Sequence, residues 1–139
     1  MADIKAKPTK ASVNAFIEAV DHDGRREDSK VIFEMMHRLS GYQPRMWGPS
    51  IIGFGSYRYR YDSGREGDMC RIGFSPRKSS LVLYIIPGFS KVGGLLNRLG
   101  KHKLGKSCLY IGRLSLVDMA VLEKIIVQTL AYMDEKYPR

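Results

Sequence analysis

The chain has 139 residues, of which 44% are hydrophobic, and it carries a formal net charge of +9. This length suits one domain with a core that needs no disulfide or metal staple. We expect a single domain over residues 1–139, with a flexible N-terminus over residues 1–10. The sequence has neither an apolar leader nor an apolar run of roughly 18 residues, so it predicts a cytoplasmic protein without a membrane segment.

The first predicted elements are two helices and a strand. Apolar residues at helical spacing predict a short helix behind the N-cap Ser12, and they are Val13, Phe16, Ile17 and Val20. The same spacing predicts a second helix that ends at Gly41, through Ile32, Met35, Met36 and Leu39. The period then changes to two, and the strand that follows alternates tyrosine and arginine over residues 57–61.

The second half predicts more strands and a closing helix. Residues 70–74, 81–86 and 108–111 are predicted strands, Leu95 to Leu99 a short helix, and Leu116 to Tyr137 a long amphipathic helix. Short connections favour antiparallel neighbours. The predicted fold is therefore α+β: a two-layer domain with an antiparallel sheet of about five strands and the N-terminal and C-terminal helices packed on one face.

Residues 100–107 read GKHKLGKS and fit the phosphate-loop pattern of Gly, any four residues, then Gly-Lys-Ser. A working phosphate loop leaves a parallel strand and enters a helix, so that backbone amides converge on phosphate oxygens. Here a helix is predicted before the motif and a strand after it. We therefore predict no ATP or GTP hydrolysis; Gly100 ends a helix and Gly105 shapes a turn.

The excess positive charge lies in one continuous segment. Between Met69 and Val117 there is no Asp or Glu, and the basic residues there are Arg71, Arg77, Lys78, Lys91, Arg98, Lys101, Lys103, Lys106 and Arg113. The rest of the chain contains as many basic as acidic residues. This asymmetry favours an anionic partner, and a merely solvated face is the alternative.

A second pattern points to nucleic acid. Residues 53–59 read GFGSYRY and are similar to the RNA-stacking strand of RRM domains, in which exposed aromatic rings stack on bases. The leading basic residue is missing, Ser56 replaces an aromatic residue, and the order of elements differs from that fold. We expect Tyr57, Tyr59 and Tyr61 to face the core, and sequence-independent nucleic-acid binding is kept as an alternative.

The sequence indicates no catalytic or metal-binding constellation. The three histidines lie in different predicted elements and away from metal-ligand spacing, and Cys70 and Cys108 form no CxxC motif. The serines lack a nucleophile elbow. One acidic cluster is accounted for by capping and the dipole of the second helix, and it comprises Asp21, Asp23, Glu27 and Asp28. We predict a protein that is not an enzyme and has no cofactor.

Four ordered motifs resemble the YdhG-like family, also called domain of unknown function 1801. They are MWGPSIIGFG over 46–55, YDSGREGD over 61–68, GFSPRK over 73–78 and GKSCLYI over 105–111. The resemblance implies a compact domain with an antiparallel sheet and no established activity. It also implies an alternative function, since some relatives are described as frataxin-like iron chaperones. That role needs carboxylate ligands, and this chain is basic.

Taken together, the residues predict a non-catalytic binding domain whose basic loops receive an anionic small molecule or an acidic partner protein. Arg77 is the strongest single candidate, because a guanidinium grips phosphate or carboxylate with two parallel hydrogen bonds; the alternative is an ion pair with Asp62, Glu66 or Asp68. Lys78, Lys101, Lys103 and Lys106 are expected to supply further charge on the same face. Trp47 and Tyr84 are expected to supply an apolar or stacking wall.

Overall fold

The computed structural model describes residues 8–9, 12–90 and 92–138. Most of the N-terminus predicted to be flexible, and Lys91 of the basic segment, lie outside these ranges. The described residues form helices α1 (Val13–Glu18), α2 (Asp23–Ser40), α3 (Gly93–Leu99) and α4 (Met119–Lys136). The strands are β1 (Pro8–Thr9), β2 (Pro44–Trp47), β3 (Ile51–Phe54), β4 (Tyr57–Arg60), β5 (Glu66–Met69), β6 (Ile72–Pro76), β7 (Leu81–Tyr84), β8 (Lys103–Leu104) and β9 (Cys108–Ile111).

The main sheet is antiparallel and has the strand order β1-β2-β3-β6-β7-β9-β8. The predicted α+β class, with helices at both ends of the chain, is confirmed. The sheet has seven strands rather than about five, because two-residue strands pair at its edges and because β2 and β3 lacked a clear alternating pattern. None of the helices in the described ranges is long and apolar enough to cross a membrane.

The helix ends follow local capping chemistry. The backbone N–H of Ala15 donates to the Ser12 hydroxyl over 3.1 Å, as the predicted N-cap requires. Gly41 ends α2 with a φ of 74°, a conformation in which glycine has no steric penalty. The last helix begins at Met119, later than predicted, because Leu114–Leu116 form a 3-10 turn and the Asp118 carboxylate caps α4.

The main core lies between one face of the sheet and the helices, and it includes Ile32 and Met36 of α2 and Ile126 of α4. The opposite face is buried at its centre by Trp47 and Cys70, which lie over the glycines of β3 and β6. A Cβ atom on Gly53 would lie 2.6 Å from Trp47 Cδ1, so only glycine leaves room for the indole.

The tyrosine-arginine strand does not join the main sheet. It pairs as β4 with β5 in a separate antiparallel hairpin. Tyr57 and Tyr59 are half-buried and Tyr61 is 56% exposed, so the prediction that these rings face the core is wrong. On the other side of the hairpin, Arg58 and Arg60 pair with Glu66 at 3.2 and 2.8 Å. The tyrosine rings line a cleft, and Arg60 also reaches it.

Candidate functional site: two basic clefts

One cleft lies between the β4–β5 hairpin, the end of β7 and the C-terminal end of α4, and its volume is about 630 Å³. We call it the tyrosine cleft. Its aromatic residues are Tyr57, Tyr59, Tyr61, Tyr84, Tyr132 and Tyr137, and its basic residues are Arg60, Arg65, Lys106 and Lys136. None of the described residues that line it is Asp or Glu. The cleft is therefore both aromatic and positively charged.

The rings of the tyrosine cleft form a continuous row. The centroids of Tyr137 and Tyr57 are 4.5 Å apart, those of Tyr57 and Tyr59 are 6.4 Å apart, and those of Tyr59 and Tyr61 are 5.1 Å apart. These separations lie in the range of favourable aromatic pairs. Burial raises the pKa of Tyr57, and the neighbouring Tyr137 adds to the rise, so this hydroxyl is neutral at physiological pH. The row ends at the exposed ring of Tyr61.

Arg71 holds the walls of the tyrosine cleft together. Its guanidinium donates to the Ser56 carbonyl at 2.9 Å, to the Met133 carbonyl at 3.2 Å and to the Asp134 carboxylate at 3.1 Å. It also donates to the carbonyl of Tyr137. The residue is only 4% exposed. Arg71, which the sequence places among the excess positive charges, thus joins the hairpin to the end of α4 and is not a surface cation.

A second cleft, of about 530 Å³, lies at the edge of the sheet beside β8. We call it the lysine cleft. It is lined by Ser79, Ser80, Lys101, His102, Lys103, Leu104, Tyr110, Gly112 and Leu116. Leu104 and Leu116 are about half exposed, so the cleft combines apolar surface with basic side chains. Acidic residues are missing from the described lining of this cleft as well.

Arg25 positions the turn that forms one wall of the lysine cleft. This buried side chain donates to the carbonyl oxygens of Arg77 at 3.3 Å, Lys78 at 2.8 Å and Gly112 at 3.0 Å. The β6–β7 turn is thereby fixed to the end of β9. Sequence reasoning missed Arg25, because an arginine in a helix of mixed charge gives no sign that it is buried.

Arg77 lies beside Tyr84 on the sheet face that points away from the helices. Its guanidinium donates to the Tyr84 hydroxyl over 2.8 Å. Burial raises the pKa of Tyr84, and the charge of Arg77 works against that rise. The alternative ion pairs are not formed: Glu66 and Asp68 bind Arg58, and no carboxylate of the described residues lies within 4.0 Å of Arg77.

The structure divides the predicted site residues between the two clefts. Tyr84 and Lys106 line the tyrosine cleft, and Lys101 and Lys103 line the lysine cleft. Lys78 is exposed in the turn beside the lysine cleft. Arg77 binds Tyr84 from the same turn.

Trp47 is not brought to either cleft. It is 2% exposed and lines a separate cavity of about 380 Å³ with Gln43, Arg45 and Asp68. The aromatic residues that line the two clefts are tyrosines. Residues that the sequence did not assign to the site include Tyr132, Lys136 and Tyr137; the alternating tyrosines of β4 were the available signal.

The acidic residues of α2 are engaged in local ion pairs. Asp23 binds Arg26 at 2.6 Å, and Glu27 binds Lys30 at 3.4 Å. Asp28 accepts from Arg113 at 2.9 Å and caps the 3-10 turn. Within the described ranges, no group of three or more His, Cys, Asp or Glu side chains has the arrangement of a metal site.

The GKHKLGKS segment connects the two clefts. Helix α3 precedes it and strand β9 follows it, so the predicted inversion of phosphate-loop order is confirmed. Gly100 has a φ of 115° where α3 ends. The segment then passes Lys101 and Lys103 along the lysine cleft and brings Lys106 and Ser107 to the tyrosine cleft.

No family model, curated protein or solved structure matches this chain. The resemblance to the YdhG-like family therefore stays a prediction. The two clefts themselves remain as the basis for inferring function.

Proposed function

We propose that the protein is a non-catalytic binding domain whose tyrosine cleft receives a phosphate-bearing ligand with a flat ring. Nucleotides, free or within a strand, have this chemistry. The observation that carries the proposal is the row of tyrosine rings beside Lys106 in a cleft whose described lining contains no carboxylate. This keeps the anionic ligand predicted from the charge distribution and adds a stacking surface.

Two interactions, base stacking and phosphate binding, favour such a ligand. Stacking of one base on an aromatic side chain contributes about 1–3 kcal/mol, and it needs an accessible ring such as that of Tyr61. The phosphate needs a cation that is not already neutralised. Lys106 has no carboxylate within 4.0 Å among the described residues, whereas the cleft's Arg60 is bound to Glu66 at 2.8 Å. The volume of about 630 Å³ also falls in the usual range of small-ligand clefts.

The proposal predicts that Tyr61→Ala weakens binding of a fluorescein-labelled thymidine trinucleotide about 5- to 150-fold, the equivalent of one stacking interaction. Tyr61→Phe retains the ring and should bind like the unaltered protein. Fluorescence anisotropy at low salt measures both. Lys106→Ala should also weaken binding, and Lys124→Ala, which removes the same charge from an exposed position on α4 outside both clefts, should not. Equal losses from the two lysine variants would contradict the proposal.

Iron delivery is the alternative implied by the family resemblance, and it gives a separate prediction. The carboxylates of α2 are dispersed in ion pairs, so we expect ferrous iron to bind no more tightly than millimolar. Anaerobic titration calorimetry with ferrous iron alone measures this. Micromolar affinity that disappears in the Asp21→Asn, Asp23→Asn double variant would support the iron-chaperone function instead.

A further inference from the structure

The tyrosine and lysine clefts each contain a tyrosine from the same face of the main sheet. Tyr84 of β7 is paired with Cys108 of β9, and Val82 is paired with Tyr110. Side chains of directly paired residues share a face, so Tyr84 and Tyr110 project from the same side. They are diagonal neighbours, a relation that separates two residues by about 7–8 Å and their β-carbons by somewhat less. Tyr84 lines one cleft and Tyr110 lines the other.

Basic side chains accompany these two tyrosines. Lys103 of β8 is paired with Tyr110, so its side chain projects from the same face. Arg77 donates to the Tyr84 hydroxyl at 2.8 Å. The neighbouring Cys108 raises the pKa of Tyr110, and the charge of Arg77 works against that rise. A row of cations thus runs from Lys106 past Arg77 to Lys103.

These cations are not compensated within the described part of the protein. Arg77, Lys101, Lys103 and Lys106 each lie more than 4.0 Å from any described carboxylate. Several basic residues elsewhere are paired, as Arg38 is with Glu34 and Glu123. Four unpaired cations therefore lie in the two clefts or, for Arg77, on the tyrosine that lines one of them.

We propose that the tyrosine cleft, Arg77 and the lysine cleft form one track for a single-stranded nucleic acid. Bases stack on the exposed rings of the tyrosine cleft, and the sugar-phosphate backbone passes Arg77 to reach Lys103 and Lys101. This inference rests on the proposed function and extends it from one nucleotide to a strand. Proteins that bind single strands without sequence preference usually combine a positively charged groove, which follows the backbone, with aromatic side chains on which the bases stack.

The geometry favours this occupant over two others. A duplex keeps its bases stacked and paired, so it cannot place them on the row of tyrosines. An extended peptide that adds a strand needs a free sheet edge, and β8 at that edge has only two residues. A single strand needs neither a long edge nor a flat surface.

The length of the oligonucleotide tests the track. Labelled (dT)3 and (dT)12 are titrated against the full chain and against the Lys101→Ala, Lys103→Ala double variant. We expect the double variant to weaken (dT)12 about tenfold at low salt and to leave (dT)3 within about twofold, because the short strand occupies only the tyrosine cleft. Loss of two phosphate contacts should also reduce the magnitude of the salt slope for (dT)12 by about 1.4.

Arg77→Ala should likewise weaken (dT)12 more than (dT)3. The matched control is the Arg98→Ala, Lys124→Ala double variant, which removes two exposed cations outside both clefts and should change neither affinity. The side chains replaced in these variants are all exposed, so their loss should not destabilise the fold. Thermal unfolding of each variant checks this.

The possible results separate the two proposals. If (dT)3 binds through Tyr61 but both double variants bind (dT)12 equally, the tyrosine cleft stands and the track is wrong. If neither oligonucleotide binds, both proposals fail. If polyglutamate displaces (dT)12 as effectively as unlabelled (dT)12 does, the surface selects only charge, and the track is again overturned.

Discussion

Arg71→Ala is expected to lower the free energy of unfolding by about 2–4 kcal/mol, because it removes a buried guanidinium that makes four hydrogen bonds. The guanidinium is 4% exposed and donates to carbonyl oxygens on two separate parts of the chain. Alanine removes the donor to the Ser56 and Tyr137 carbonyls, and a buried carbonyl without a partner costs about 1–3 kcal/mol; the Met133 carbonyl keeps the Tyr137 amide as a donor. The hairpin would also lose its attachment to α4.

Urea unfolding monitored by circular dichroism measures this loss. Arg113→Ala is the control, since its side chain is 44% exposed and its bond to Asp28, at 2.9 Å, lies nearer the surface. We expect a smaller loss of about 1–2 kcal/mol for the control, because Arg113 is partly exposed and the buried Asp28 keeps its bond to the Leu114 amide. Similar losses from both variants would mean that Arg71 acts as an ordinary surface cation.

The glycine that begins GKHKLGKS should be the next most sensitive position. Gly100→Ala is expected to cost about 2–4 kcal/mol. Gly100 has φ 115° and ψ −154°, a backbone conformation that residues other than glycine rarely adopt. An added Cβ would fall on the Leu116 carbonyl oxygen and lie 3.1 Å from Val117 Cα, so the clash is with backbone that cannot rotate away.

Gly94→Ala is the matched control for this prediction. Gly94 lies in α3, and a Cβ there would meet no heavy atom within 4 Å. Since alanine is favoured over glycine inside a helix, this variant should gain about 0.5–1 kcal/mol in the same urea experiment. A loss at Gly100 as small as about 0.5 kcal/mol would show that the α3–β8 connection relaxes, and that Gly100 is not required for backbone conformation.

Local chemistry was readable from the sequence. The cap at Ser12, the stop at Gly41 and the helix before and strand after GKHKLGKS all depend on residues within a few positions of one another. Such features need only capping geometry and apolar spacing. They were sufficient for the α+β class and for predicting that GKHKLGKS is not a phosphate loop.

The clefts could not be predicted from the sequence, because they are formed by contacts between residues far apart in the chain. Nothing near Tyr57 indicates that its ring lies 4.5 Å from that of Tyr137, and the alternating pattern of β4 suits a core-facing strand equally well. Charge counting likewise placed Arg71 with the surface cations, although it is buried against the end of α4. Composition and spacing determine which residues are basic or aromatic and which elements form. Only the packing of the hairpin, β7 and α4 decides which of those side chains remain exposed, because burial depends on the neighbours that the tertiary fold supplies.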